Sequence, residues 1–468
     1  MPLEFEERRP DWRESVQRFE NMLKHQERQF FDLDAYEHIV EHYIGEGNWE
    51  RALQACDLGL ENFPYSLELM LDKAHLLSQS QEYDEALDLL ERAALFNPSD
   101  TDIMLMQGEV FNLMGDHEQA AELYESLLSR TEEDEKDEIL FEIGQSYQNA
   151  GKYEDAIKFY KEALMVNMEN ENALYEMAFC LDILGELEGS IDFYNQLIDR
   201  NPYSFNAWYN LGIVYSKLNR HEDALFAYDY ATVIKEDFAS AYFNMANAYM
   251  NLERYQEAKE AFLQTLAHEP PSADLYCHLG ASYEKLEDFE QALKHYRDAL
   301  KLDNEWDEAW YGIAACLAVQ EKWVEAISCL RRAIKLNEHV ADYWLMMGDI
   351  EYKMGHLLGS HEAFEKASQL EPDFEDIWLK WSLVAFDQGD YKKAVEIALE
   401  GLDEIPDSGN LYYRATAYLL HKGEYREALL YLEIALTLDF ESHTQLYDFF
   451  PDLERQKALF KIVEQYRK

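Results

Sequence analysis

Along most of its length the chain repeats one arrangement of apolar and polar positions. Segments such as EDAIKFYKEALMVN, EQALKHYRDALKLD and REALLYLEIALTLD place apolar residues three and four apart with charges between them. That spacing predicts amphipathic helices with one buried face. The first small residue of each such segment serves as an anchor: Ala52, Ala86, Ala120, Ala156, Ser190, Ala224, Ala258, Ala292, Ala326, Ser360, Ala394 and Ala428. Successive anchors are 34 residues apart, except for a step of 36 between Ala120 and Ala156. A constant period of this size predicts stacked copies of one helical unit rather than separate globular domains.

With Leu33 taken as position 1, position 8 is Gly, Ala or Ser in ten of twelve copies, Gly108, Gly144, Gly212, Gly280 and Gly348 among them. Small residues at positions 8 and 20 let two antiparallel helices approach closely. Aromatic residues recur at position 24 (Tyr124, Tyr160, Tyr194, Tyr228, Phe262, Tyr296) and at position 11 (Tyr43, Phe111, Tyr147, Tyr215, Tyr249, Tyr283). Proline closes half of the copies at position 32, where it ends the second helix.

The period, the small–aromatic–small order and the closing proline resemble the tetratricopeptide repeat family, as a long uninterrupted array of bacterial type over residues 33–442. The stretch WYNLGIVYSKLNRHEDALFAYDYA, Trp208 to Ala231, carries the family's series most fully. The resemblance implies an all-α fold: a right-handed superhelical α-solenoid of about twelve helical hairpins that holds peptides or protein segments and is not itself a catalyst. Glu351, Ser382, Ala385, Ala398 and Gly401 depart from the pattern, so looser or shifted packing is expected in repeats 10 and 11.

The two ends read as capping helices, over 1–32 and 443–468. At the first, Asp11 is placed to N-cap a helix whose stripe is Trp12, Val16, Phe19 and Leu23. At the second, Leu446, Phe449 and Phe450 precede Pro451 and a helix bearing Leu459, Phe460, Val463 and Tyr466. A dimerisation surface is the alternative for this aromatic tail. The two extra residues fall in SRTEEDEKDE, Ser129 to Glu138, read as a solvated loop or extended helix end, with a hinge as the alternative.

Composition narrows the function. With 94 acidic and 41 basic residues the net charge is −53, which disfavours nucleic acid and anionic lipid as partners. Five cysteines without a CxxC pair argue against a disulfide framework or zinc site and fit a cytoplasmic setting. No apolar run is long enough for membrane insertion, and no phosphate loop, HExxH or nucleophile-elbow motif occurs. His38 and His42, four apart, have metal-binding spacing, but exposed histidines on an acidic helix are the commoner reading. Cys56, Cys180, Cys316 and Cys329 read as packing residues. No catalysis and no cofactor are expected.

What remains is the surface of the first helices, where positions 2, 5, 6, 9, 12 and 13 are expected to line a concave groove around buried positions 4, 7, 8 and 11. In repeats 1–5 these positions hold acids and neither Lys nor Arg, among them Glu37, Glu41, Asp72, Glu109 and Glu142. A Lys/Arg-rich protein or peptide is the partner that such a field would attract, and a merely solvated acidic face is the alternative. Repeats 6 and 7 present Asn206, Tyr209, Asn210 and Lys217, then Phe243, Asn244, Asn247 and Asn251. Asparagine amides both donate and accept, which suits a clamp on the backbone of an extended peptide; bonding within the groove is the alternative. Repeats 8–12 mix Lys285, Lys353, Lys380 and Arg414 with acids, without the cationic clamp that chaperone-tail adaptors of the family need. The expected function is a non-catalytic scaffold or adaptor holding an extended or basic segment. A regulator switched by a short peptide is the alternative.

Overall fold

The computed structural model describes residues 12–25, 29–98, 100–132, 135–449 and 457–466. Among these, every regular element is a helix. Twelve antiparallel pairs follow one another, each an A helix and a B helix, from Leu33–Gly45 with Trp49–Asn62 to Gly409–Lys422 with Tyr425–Leu438. The pairs fall into two units, Met1–Glu236 with the first six and Asp237–Lys468 with the last six.

Two local devices set each pair. The tight turn between A and B helix holds one left-handed residue at position 15 in all twelve copies. Seven of these are glycine, but Gln81, Asn219, Glu253, Glu287 and Glu321 take φ between 57° and 63° with a side chain attached. In the five pairs with glycine at position 8, the contact between the helices is a ring against a bare backbone. A Cβ on Gly108 would lie 2.3 Å from the ring of Tyr124, and one on Gly212 would lie 2.4 Å from Tyr228. Positions 8 and 24 are therefore direct partners within a pair.

The buried set differs from positions 4, 7, 8 and 11: position 8 is buried in every repeat, but position 4 is only half-buried in seven of the twelve. Position 3 is buried in every repeat, from Ala35 to Leu411, and position 10 in all but the first, from Leu76 to Tyr418. These two faces meet the neighbouring pair, so stacking between copies uses residues that the helix pattern alone assigns to neither side.

Of the two expectations for repeats 10 and 11, looser or shifted packing, the structure shows the shift. A Cβ on Gly401 would meet Trp378 at 2.7 Å, so the indole occupies the space that the glycine leaves. The ring missing at Ala398 is replaced from the next repeat by the fully buried Tyr418, whose hydroxyl bonds that of Ser382 at 3.2 Å. Glu351 is buried but bonded to His356 Nδ1 at 2.7 Å.

At the amino end, Trp12–His25 packs Phe19 against Phe31 and Tyr43. Its stripe runs through Ser15, Phe19 and Met22, with Val16 and Leu23 half-buried at its edges. Asp11 and the Trp12 side chain lie outside the described residues. At the other end Leu446, Leu459 and Val463 join the core of the last repeats, and Phe449 sits 5.1 Å from Phe386. Phe450 and Pro451 lie outside the described residues. The two-residue insertion lengthens the loop: the B helix His117–Leu128 ends early, with 12 residues where every other has 14, and seven residues separate it from Lys136–Asn149 where other repeats have four. Of the loop that follows, residues 133 and 134 lie outside the described residues.

Candidate protein-binding surface

In the first unit, the A helices of successive repeats pack side by side except the third and fourth, which stand further apart and are joined by a hydrogen bond from Asn112 Nδ2 to Ser146 Oγ at 3.0 Å. Between the third and fourth A helices, Thr101–Met114 and Lys136–Asn149, the A-helix face opens into a cavity of about 530 Å³. Its rim carries Asp102, Glu109, Glu138 and Glu142, and its floor Leu105, Met106, Ile139 and Tyr124. Burial, then the charges of Glu109 and Glu138, raise the Glu142 carboxyl above its ordinary range.

A second acidic group lies on repeats 1 and 2. Burial, followed by the charges of Glu68 and Asp34, pushes Glu37 up to about 6. Burial, Glu68 and Glu41 push Asp72 up to about 6 as well. Glu41 itself is exposed and meets His38 Nδ1 at 3.3 Å, while His42 Nε2 lies 3.6 Å from Glu46. The two imidazoles thus face carboxylates of their own helix, and among the described residues no group of His, Cys, Asp and Glu is arranged to hold a metal.

The asparagines divide between the two units. In the first, Asn206 and Asn210 are buried rather than facing a groove. Asn206 Nδ2 donates to Glu171 at 2.9 Å, and Asn210 Nδ2 donates at 2.9 Å to the carbonyl of Asn206. For these two, one amide hydrogen each is bonded inside the protein, which is the bonding within the groove that stood as the alternative to a clamp. Tyr209 is half-buried against Tyr228, and Lys217 is paired with Asp182. In the second unit, Phe243 packs edge-on against Phe262 and His278, Asn244 and Asn247 are half-buried, and Asn251 is exposed. Three cations of the later repeats are likewise engaged: Lys380 bridges Asp349 and Asp376 at 2.9 and 3.0 Å, Lys353 lies over Trp323, and Arg414 lies over Phe449.

One group on the A-helix face escaped the charge-based reading. Tyr175, Phe179 and Ile183, at positions 5, 9 and 13 of repeat 5, are 63%, 41% and 48% exposed. Their spacing of four was legible in the sequence, since no core-facing role explains three large apolar residues on a lining stripe. The cysteines carry no chemistry of this kind. Burial pushes the thiols of Cys56, Cys180, Cys277 and Cys316 up to about 12, which keeps them protonated packing groups. No helix among the described residues is long and apolar enough to cross a membrane.

Comparison with known proteins bears on the same architecture. Family profiles described as tetratricopeptide repeat match residues 11–108, 102–130, 137–170, 193–226, 239–271, 273–305 and 345–409, together more than half of the chain. Over 148 residues, 31% of this chain, it is 28% identical to TPR repeat-containing protein MJ1428 of Methanocaldococcus jannaschii, of which 26% is covered. Over 143 residues, again 31% of this chain, it is 26% identical to TPR repeat-containing protein YpiA of Bacillus subtilis, of which 33% is covered. The match therefore spans only about a quarter to a third of these relatives. Among solved structures, the APC/C hetero-tetramer Cut9-Hcn1 is similar at a TM-score of 0.45 and 15% identity, over 87% of this chain and 93% of that one. YrrB, a TPR protein with an unusual peptide-binding site, scores 0.28 at 23% identity, over 47% of this chain and 95% of that one. With the helical pairs, their ring-on-glycine contacts and the profile matches in agreement, the chain belongs to the tetratricopeptide repeat family.

Proposed function

We propose that this chain is a non-catalytic scaffold whose first unit holds a basic, extended segment of a partner protein on its A-helix face. The observation that carries the reading is the cavity between repeats 3 and 4, where four carboxylates crowd an apolar floor and, among the described residues, neither lysine nor arginine joins the lining. A lysine or arginine side chain suits that cavity, because its methylenes can cover Leu105 and Met106 while its charge meets Glu109 and Glu142. Glu37, Glu41 and Asp72 extend the same field toward the amino end and speed capture more than they prolong residence. In the second unit, Asn247 and Asn251 stand four apart on one helix, with Asn244 close by in sequence. They are assigned to the backbone of the same kind of segment.

A lysine-rich peptide and a glutamate-rich peptide of equal length, titrated by calorimetry, test the reading. The lysine-rich peptide should bind, with affinity falling as salt rises toward about 0.1 M, where exposed charges are screened within roughly 10 Å. Glu109→Gln with Glu142→Gln should weaken it, and Asn247→Ala with Asn251→Ala should quicken dissociation without altering the salt slope. Equal binding of both peptides would overturn the acidic surface as the site.

A further inference from the structure

The apolar stripe on repeat 5 identifies the partner more closely, and the argument rests on the scaffold reading above. Tyr175, Phe179 and Ile183 follow one another at intervals of four along Glu171–Ile183, so their side chains stack into one strip about 12 Å long. All three are substantially exposed, on a helix whose opposite side is filled by the buried Leu174, Met177 and Leu181. The core of repeat 5 is complete without them. Half-buried apolar residues flank the strip on the same face: Phe141 in repeat 4, and Tyr209 and Ile213 in repeat 6.

Charge around the strip selects what covers it. Glu138 and Glu142 stand on the A helix before it and Glu176 on its own helix, while the one lysine on this face of repeat 6, Lys217, is paired with Asp182. An apolar strip bordered by unneutralised carboxylates repels an acidic partner and leaves a neutral apolar one beside crowded negative charge. It fits a segment with cations on its flanks and large apolar groups between them. Neighbouring packed helices are separated by roughly 8–10 Å, so the cavity and the strip lie about three to six extended residues apart along a bound chain.

We propose that repeats 3–5 bind a basic amphipathic segment, in which Lys or Arg enters the acidic cavity and aromatic or aliphatic side chains settle on Tyr175, Phe179 and Ile183. Apolar anchors supply the residence that surface charge pairs do not, because exposed ion pairs contribute little net binding.

Two synthetic peptides separate this proposal from the broader one. Both carry the same lysines; one has phenylalanine and leucine between them, and the other has serine at those places. On the full chain at physiological salt the apolar peptide should bind about tenfold to a hundredfold more tightly, the factor expected from burying one large apolar side chain. Tyr175→Ser with Phe179→Ser should erase the difference while leaving binding of the serine peptide unchanged. The exposed positions of both residues keep the variant's helicity intact, and circular dichroism verifies it. If both peptides bind the parent protein equally, the strip is not an anchor, although the basic-segment reading stands. If neither binds, both readings fall. A preference that survives in the variant places the anchor elsewhere and overturns the assignment to repeat 5.

Discussion

Where position 8 is glycine, an added methyl group runs into the ring across the pair. At Gly212 an added Cβ would stand 2.4 Å from the ring of Tyr228, whereas at Gly189 nothing lies within 4 Å. Gly212→Leu should therefore destabilise by about 1–3 kcal/mol or more, through overpacking. Gly189→Ala, on the open side of Leu187–Arg200, should stabilise by about 0.5–1 kcal/mol, because glycine costs helix entropy there. Chemical denaturation of the two variants against the parent measures both, and equal effects would refute the assigned contact. Carboxylates of repeats 1 and 2 respond to pH in a defined direction. Glu37 and Asp72 titrate near 6 in the folded chain, above the value of about 4 expected when unfolded. The folded state thus holds protons that the unfolded chain releases, so the stability these two groups contribute is fully present below about pH 4 and is lost as pH rises through 6. Glu37→Gln should slow hydrogen exchange of the Leu33–Gly45 amides at about pH 7, relative to the parent, with the gain vanishing near pH 4.

At the scale of elements, the insertion after repeat 3 raises the question of how the next helix finds its register. Asp137, buried at the start of Lys136–Asn149, accepts from Asn167 Nδ2 at 2.8 Å and from Asn170 Nδ2 at 3.0 Å. Asn170 also caps the following A helix through Ala173 N. One carboxylate therefore ties together two successive repeats. Asp137→Ala would leave the amides of exposed Asn167 and half-buried Asn170 to water, at a cost of about 0.5–1.5 kcal/mol measurable by urea unfolding; no measurable loss would show that the clasp is not needed. None of this was legible in the sequence, where Asp137 reads as one acid within an acidic loop. Helix spacing, the small residues at position 8 and the rings at position 24 were legible because they depend on local period and volume. The inward bonding of Asn206 and Asn210 was not, because it depends on Glu171 in the preceding repeat and on a rotamer toward the helix's own backbone. Likewise, the replacement of the ring missing at Ala398 by Tyr418 crosses from one repeat to the next, beyond the reach of any pattern confined to a single copy.

Across the whole molecule, a net charge of −53 sets fold and binding in opposition. Self-repulsion within each unit weakens as salt is added, so thermal stability should rise between about 0.01 M and 0.15 M ionic strength. Capture of a basic segment should fall over the same range, and parallel trends would contradict one assignment or the other. The ring-on-glycine contact has a consequence of another kind. Burial pushes the phenols of Tyr124, Tyr160 and Tyr228 upward, beyond the ordinary tyrosine value of about 10. In the unfolded chain they would ionise near 10, so stability contributed by keeping them neutral drains away as alkalinity rises above that point. Each ring is a stopper that must leave its seat before it can lose its proton. Phenolate absorbance from these residues should therefore appear together with the loss of helical ellipticity, turning the chain's own tyrosines into an optical gauge of how many repeats have come open.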